Sequence, residues 1–445
     1  MKRSALAVLA AAAALAAVAS ASSRAPSVAV PQAAKSPVKE PGPLLAVVPG
    51  ARGPVLGRAD KRAIWIGRRS PRLRLYNSVV AWAYARDGSD MVIATQPDAG
   101  GSGAKLHFVD PRLVTRRALT RLPTGYVSAL AWGDGRVNVV MDDPDTRQIE
   151  IMSVDGETRR ISVGAKMDGS IFGIKRVGGT IVLLMGPRRG VGTAKLAVVD
   201  PSGGIRTVEL PEVQAGSDMG DGEPPDFANL QQNIPGLAVD PETSRAYVVP
   251  ASGRVAEIVL SSLSVSYHSL AQPVSLLGRL HDWVEPKAQA KGANGPIRTA
   301  RWLGGGVLAV TGGNETARLD SSSQLHVTWT AAGLMMIDTN TWATKLIDRG
   351  ADSFEVVGDS LLVTGSSWSD SDRSGMGFAT YRFDGTRMIS VLHGDAANLE
   401  LAFRGKAYLN LGQQFTRKVV DLTSGRLLKD RHAPLAYLLI GDGSS

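Results

Sequence analysis

The chain has 445 residues, a formal net charge of +9 and no cysteine. That composition excludes disulfides, thiolate metal sites, cysteine nucleophiles and attachment of a lipid through an N-terminal cysteine. With 20% charged residues and 44% hydrophobic residues it is a globular composition with ample material for a core.

Residues 1–21 have the form of a secretory signal. Lys2 and Arg3 make a basic start, and Ser4–Val18 is apolar and alanine-rich. Small residues at Ala17-Val18-Ala19 and Ala19-Ser20-Ala21 suit a peptidase. The apolar run is short for a membrane span. Residues 22–43 carry Pro26, Pro31, Pro37, Pro41 and Pro43 among Ala, Ser, Lys and Val, a composition that forms an extended tether rather than a core. The expected organisation is a signal at 1–21, a linker at 22–43, a folded body at 44–441 and a tail at 442–445. No later stretch reaches 18 apolar residues, so a soluble mature protein, secreted or extracytoplasmic, is expected.

From residue 44 onward one unit recurs: an apolar strand, a tight Asp-led turn and a second strand. Its clearest copy is Lys195–Leu210, KLAVVDPSGGIRTVEL, with the turn at Asp200-Pro201-Ser202-Gly203. Aspartate accepts a hydrogen bond from the backbone two residues on, and proline has its φ already set for the turn. Copies end at Asp110, Asp155, Asp338, Asp384 and Asp421, and weaker ones at Asp60 and Leu260, which makes eight in all. A second hairpin usually precedes each, as in Ala81–Thr95, Ala129–Met141, Gly236–Val249, Arg301–Thr311 and Phe354–Thr364. Two hairpins per period make four antiparallel strands, the unit of a β-propeller blade. The expected fold class is all-β, a single β-propeller of seven or eight blades, eight by hairpin count. The apolar Leu435–Ile440 has no hairpin after it and Leu44–Val48 has no inner partner before it. The two ends are therefore expected to share one blade and close the ring, which removes exposed strand edges.

Gly236–Val249 (GLAVDPETSRAYVV), Ala81–Thr95 and the Val-Asp-Pro turns at Asp110 and Asp200 carry a family likeness. On these residues the chain resembles the exported bacterial β-propellers grouped with WD40-like, NHL-like and quinoprotein-like repeats, over about residues 44–441. The resemblance implies the fold. Its members include binders, scaffolds, lyases and dehydrogenases, so it leaves activity open. The Trp-Asp dipeptide signature is absent.

Function is expected where the connections are long. Joins between strands one and two, and three and four, are short nearly everywhere, whereas the segments 214–234, 273–296, 312–330 and 366–376 fall on the opposite end of the blades. These segments carry the candidate binding residues Asp218, Asp221, Glu223, Asp226, His281, Asp282, Trp283, Glu285, Trp329, Trp368, Asp370 and Asp372. Trp faces beside carboxylates suit a small polar or cationic ligand. Leu276, Leu277, Leu280, Trp283 and Val284 follow helical spacing, with Ser275 as a cap and Pro286 as a stop, so a short helix is expected over Leu276–Glu285.

The favoured function is a non-catalytic binding or scaffold module of the cell envelope or extracellular space, with an envelope protein, an extracellular protein or a small polar ligand as partner and with no nucleic acid. The alternative is a lyase or hydrolase in which His281, Asp282 and Glu285 act as base and metal ligands. No catalytic residue, metal or cofactor is assigned. The six histidines show no metal-ligand spacing within one element. Asp370–Gly375 imitates the first half of a calcium loop, but Tyr381 stands where its last acid belongs. Two basic clusters, Lys61–Arg74 and Arg112–Arg121, are expected on the outer strands of neighbouring blades, where they resist unwanted pairing and would meet anionic envelope polymers. The protein is expected to be a monomer. N-terminal sequencing of the exported protein should find Ser20 or Ser22 as its first residue; a cytosolic chain retaining Met1 would refute the signal.

Overall fold

The second strands of the repeats carry apolar runs, such as Met91–Ala94, Val139–Met141 and Ile181–Met185. Alternate side chains of a strand point to opposite faces, so an unbroken apolar run means burial on both. The computed structural model shows how that burial is met. It describes residues 45–50, 53–59, 64–65, 76–77, 79–85, 90–96, 103–109, 116–143, 148–218, 231–271, 293–319, 325–357, 360–365, 377–383, 385, 387–392, 397–403, 406–411, 416–421, 427–428 and 438–440. All the regular elements among them are β-strands.

The strands pair into eight antiparallel sheets. Seven are built from consecutive segments, and we number these blades 1 to 7. They span 79–121, 126–167, 170–233, 236–268, 293–348, 351–392 and 397–428. The eighth joins the two ends of the chain. Leu45–Gly50 pairs with Gly53–Ala59 on one side and with Leu438–Ile440 on the other, in the register Leu45↔Ile440 to Val47↔Leu438. The last strand sits beside the first strand of blade 7, and Gly53–Ala59 sits beside the first strand of blade 1. The architecture is a β-propeller, closed by a shared blade as the repeat pattern predicts.

The core lies between blades rather than within them. In blade 2, Val137, Val139, Met141, Met152 and Val154 face blade 1, while Val140, Ile149 and Ile151 face blade 3. In blade 3, Ile181, Leu183 and Met185 face blade 2, while Val182 and Leu184 face blade 4. Blade 4 divides Ala246 and Val248 from Tyr247 and Val249 in the same way, and blade 5 divides Leu308 and Val310 from Val307 and Ala309. In blades 1, 2, 3, 5, 6 and 7 a register shift interrupts the pairing of the first strand with the second. An extra residue there sharpens the twist that lets each sheet pack edge-inward around an axis.

The Asp-led turns form as the sequence predicts. Asp155 Oδ1 accepts from the N–H of Glu157 at 2.9 Å and of Thr158 at 2.6 Å. Asp200 Oδ1 accepts from Ser202 Oγ at 2.6 Å and from the N–H of Gly204 at 2.9 Å. These donors hold both carboxyls below the usual carboxylate range, led by the Thr158 N–H for Asp155 and the Ser202 hydroxyl for Asp200. The turn of blade 3 is also gripped by blade 2: fully buried Asn138 donates through Nδ2 to Asp200 O at 2.9 Å and Pro201 O at 3.2 Å.

One sequence expectation is corrected here. Residues 312–319 and 325–330 are strand, not loop. The second strand of blade 5, Val307–Leu319, continues past the blade and pairs with an additional strand, Leu325–Ala331. The first strand, Ala293–Gly304, lengthens with it, so 293–296 are strand as well. The three make a β-arm. Past Thr311 the long strand turns polar and glycine-rich (Gly312, Gly313, Asn314, Glu315, Thr316) and does not read as strand, and only its partner Leu325–Ala331 keeps an alternating pattern. Similarly, 214–217 continue the fourth strand of blade 3, Ile205–Ser217, which pairs with Gln232–Asn233. The helix expected at Leu276–Glu285 lies outside the described residues. Deleting 434–445 should remove the seam strand with its three apolar residues and lower the melting temperature, at a cost on the order of several kcal/mol; an unchanged melting temperature would refute the shared blade.

Candidate functional site

The arm is built around a bend. Up to Val310 the long strand of blade 5 pairs with the third strand, Leu334–Asp338; from Gly313 it pairs with Leu325–Ala331. Gly312, between them, has φ +140°, and a Cβ there would run into Ile297 O. Only glycine makes that turn without strain. Arg298 lies opposite Gly312 in register and is 3% exposed. Its guanidinium donates to Gly313 O at 2.9 Å and to Asn314 Oδ1 at 3.2 Å. Burial pulls its pKa down to about 10, which still leaves a cation at neutral pH. The arm is fastened from its other side too: Ile234 N donates to Pro296 O at 2.9 Å and Arg298 N to Ile234 O at 2.7 Å. The segment leaving blade 3 is thereby tied to the arm of blade 5.

Register places Gly295, Glu315 and Trp329 in one row across the three arm strands, and Ile297, Gly313 and Ala331 in the next row of the same face. Both glycines are recesses that a neighbouring side chain fills. A Cβ on Gly295 would strike the Gln232 side chain, and one on Gly313 would strike Cε2 and Cζ2 of Trp329. Gln232 lies across Gly295 and donates through Nε2 to Glu315 Oε2 at 2.9 Å. Trp329 lies across Gly313 and is 40% exposed. The result is a face that brings together a carboxamide, a carboxylate and an indole.

Of the residues singled out in the sequence, Trp329 and Asp218 fall within the described part of the chain. Trp329 is in the arm. Asp218 closes the stem of blade 3's long connection: its N–H donates to Gln231 O at 2.9 Å and its Oδ2 accepts from Gln231 N at 2.8 Å. His281, Asp282, Trp283, Glu285, Trp368, Asp370, Asp372, Asp221, Glu223 and Asp226 lie outside the described residues. Gln232, Glu315, Arg298 and the two recess glycines were not singled out, because their meaning depends on a hairpin the sequence pattern does not announce. The alternation in His326–Thr330, HVTWT, is the one local signal that pointed to it.

A second cluster joins blades 4 and 5. Glu257 accepts from Arg245 through Oε1 and meets His268 Nε2 through Oε2 at 2.7 Å. The His268 ring stacks on Trp342 of blade 5 at 3.9 Å, and Tyr247 stacks on Trp302 at 5.5 Å. Burial pushes the Tyr247 hydroxyl up to about 12. These rings fill the inter-blade core, and the cluster is a packing joint. Arg117 of the second basic cluster lies on the outer strand of blade 1, as expected, and pairs with Asp90 at 2.5 Å. Among the described residues no group of three or more His, Asp or Glu is placed to hold a metal.

No family model matches the chain, and no curated protein matches it. Solved structures similar to it include BamB from Moraxella catarrhalis, 13% identical, covering 84% of this chain and 95% of that one, with a TM-score of 0.43. A protein from Lactobacillus plantarum is 11% identical over 90% of this chain and 99% of its own, with a TM-score of 0.40. A β-propeller domain from Myceliophteria thermophila is 10% identical over 77% of this chain and 95% of its own, with a TM-score of 0.37. These likenesses are distant, and the fold assignment rests on the strand pairing.

Arg298→Met should destabilise the protein by about 1–3 kcal/mol for each buried acceptor left without its donor. Amide hydrogen exchange should accelerate in 312–331 before the blades. Exchange in the arm identical to that of the parent would show that Arg298 does not hold the bend.

Proposed function

We propose that this propeller is an exported, non-catalytic binding or scaffold module that works as a monomer in the cell envelope or extracellular space. The signal-like residues 1–21 and the proline-rich tether at 22–43 support the address. The observation that carries the binding role is the arm. A propeller needs no strand beyond its four per blade, yet blade 5 builds three extended strands, buries an arginine to hold their bend, and leaves an aromatic ring on the face. Tryptophan is enriched among the residues that dominate binding interfaces, and insertions carried by a rigid scaffold are where binding residues concentrate. The partner engages this end of the ring, where the other long connections also fall by topology, and the basic outer strands supply a general attraction to anionic envelope polymer.

Replacing 314–330 with a short turn should leave the ring folded and abolish its retention on a washed envelope fraction. Equal retention of the two folded proteins would move the binding surface to the basic clusters Lys61–Arg74 and Arg112–Arg121.

A further inference from the structure

We propose that the Gln232–Glu315–Trp329 face of the arm is a saccharide subsite, in which one pyranose ring stacks on the Trp329 indole while Glu315 and Gln232 bind its hydroxyls; this rests on the reading of the arm as the binding face. The indole is 40% exposed, and its Cε2 and Cζ2 lie against Gly313 where a Cβ would otherwise stand, so the ring is set on the sheet with part of its surface open to a ligand. The carboxylate and carboxamide that share its row are already joined, Gln232 Nε2 to Glu315 Oε2 at 2.9 Å. Each group is therefore held before a ligand arrives, which cuts the ordering cost of binding.

The donor and acceptor inventory selects the ligand class. Beyond that shared bond, the pair offers Glu315 Oε1, the Gln232 carbonyl oxygen and the second Gln232 N–H. Acceptors and a donor side by side match hydroxyl groups, each of which both donates and accepts. A pyranose combines a C–H face that packs on an aromatic ring with hydroxyls around its rim, and the arm offers the complementary plate and edge. A nucleotide base would stack on the indole equally well, but its phosphates would lie near the Glu315 carboxylate. A quaternary ammonium would be drawn to the carboxylate but gains most from several aromatic walls, and it has no use for the carboxamide. The two recess glycines make the plate possible: a side chain at Gly313 would lift the indole off the sheet, and one at Gly295 would displace Gln232 from Glu315.

Calorimetric titration of the full exported protein with maltotetraose, cellotetraose and chitotetraose, and with choline and adenosine monophosphate as counter-probes, tests this. At least one tetrasaccharide should bind. Trp329→Ala should weaken it tenfold or more, Glu315→Gln several-fold, and Gly313→Ala should weaken it by displacing the indole while every ligand-contacting residue keeps its identity. Melting temperatures of the variants close to that of the parent would locate the loss at the site. Binding of no tetrasaccharide, or equal binding by Trp329→Ala, overturns the subsite. Choline or the nucleotide binding in a Trp329-dependent manner, with the sugars inert, also overturns it. In either case, arm-dependent retention on the envelope fraction would leave the arm as the binding face, whereas loss of both effects would remove that reading too.

Discussion

The structure depends on one requirement: both faces of every blade must be covered by the blades beside it. A free four-stranded sheet with an apolar second strand would leave half of its hydrophobic surface in water. Here Val137, Val139 and Met141 of blade 2 turn one way and Val140 the other, and the same division recurs in blades 3, 4 and 5. Among the described side chains the apolar clusters bridge adjacent blades, so a single blade is not expected to persist alone. The ring has to close because the first and last sheets would each otherwise present an uncovered apolar face.

Polar contacts fix how the blades seat on one another. Asn138 reaches from blade 2 to the Asp200 turn, and Thr311 Oγ1 donates to Ala351 O between blades 5 and 6 at 3.1 Å. Arg176 of blade 3 donates to Trp82 O of blade 1 at 2.5 Å and to Leu130 O of blade 2 at 3.3 Å, with burial pulling its pKa down. Each such bond adds only about 1 kcal/mol net, but a buried donor or acceptor without a partner costs more than that. These contacts therefore specify register between sheets that apolar packing alone would allow to slide.

The ring was legible in the sequence and the arm was not, for the same physical reason. Blade strands are covered on both faces, so their apolar runs and Asp-led turns stand out, and eight hairpins could be counted from them. The shared blade followed from Leu435–Ile440 having no partner of its own. The arm strands leave the core and have no such pattern. Thr316 and Thr328 face each other in register, as do Asn314 and Thr330, and polar pairs of this kind look like loop in a linear reading. Trp329 was recognisable as an unusual residue in an unusual place. Its neighbours Glu315 and Gln232 were not, since one is brought across a hairpin and the other comes from a different blade.

The seam between Leu45–Val47 and Leu438–Ile440 also bears on how the molecule is made. Every other strand in the described sheets pairs with a strand close to it in the chain, so blades form with short loop closures as the polypeptide becomes available. The seam joins residues at opposite ends of the sequence, and it is the contact of greatest contact order in the fold. Bringing such distant segments together carries an entropic cost that rises slowly with loop length, but the search is slow. Seven blades stacked in sequence hold the two ends near each other and turn that search into a local one. Ring closure is then the last step of folding, and until it occurs the molecule is an open arc with an adhesive strand edge at each end.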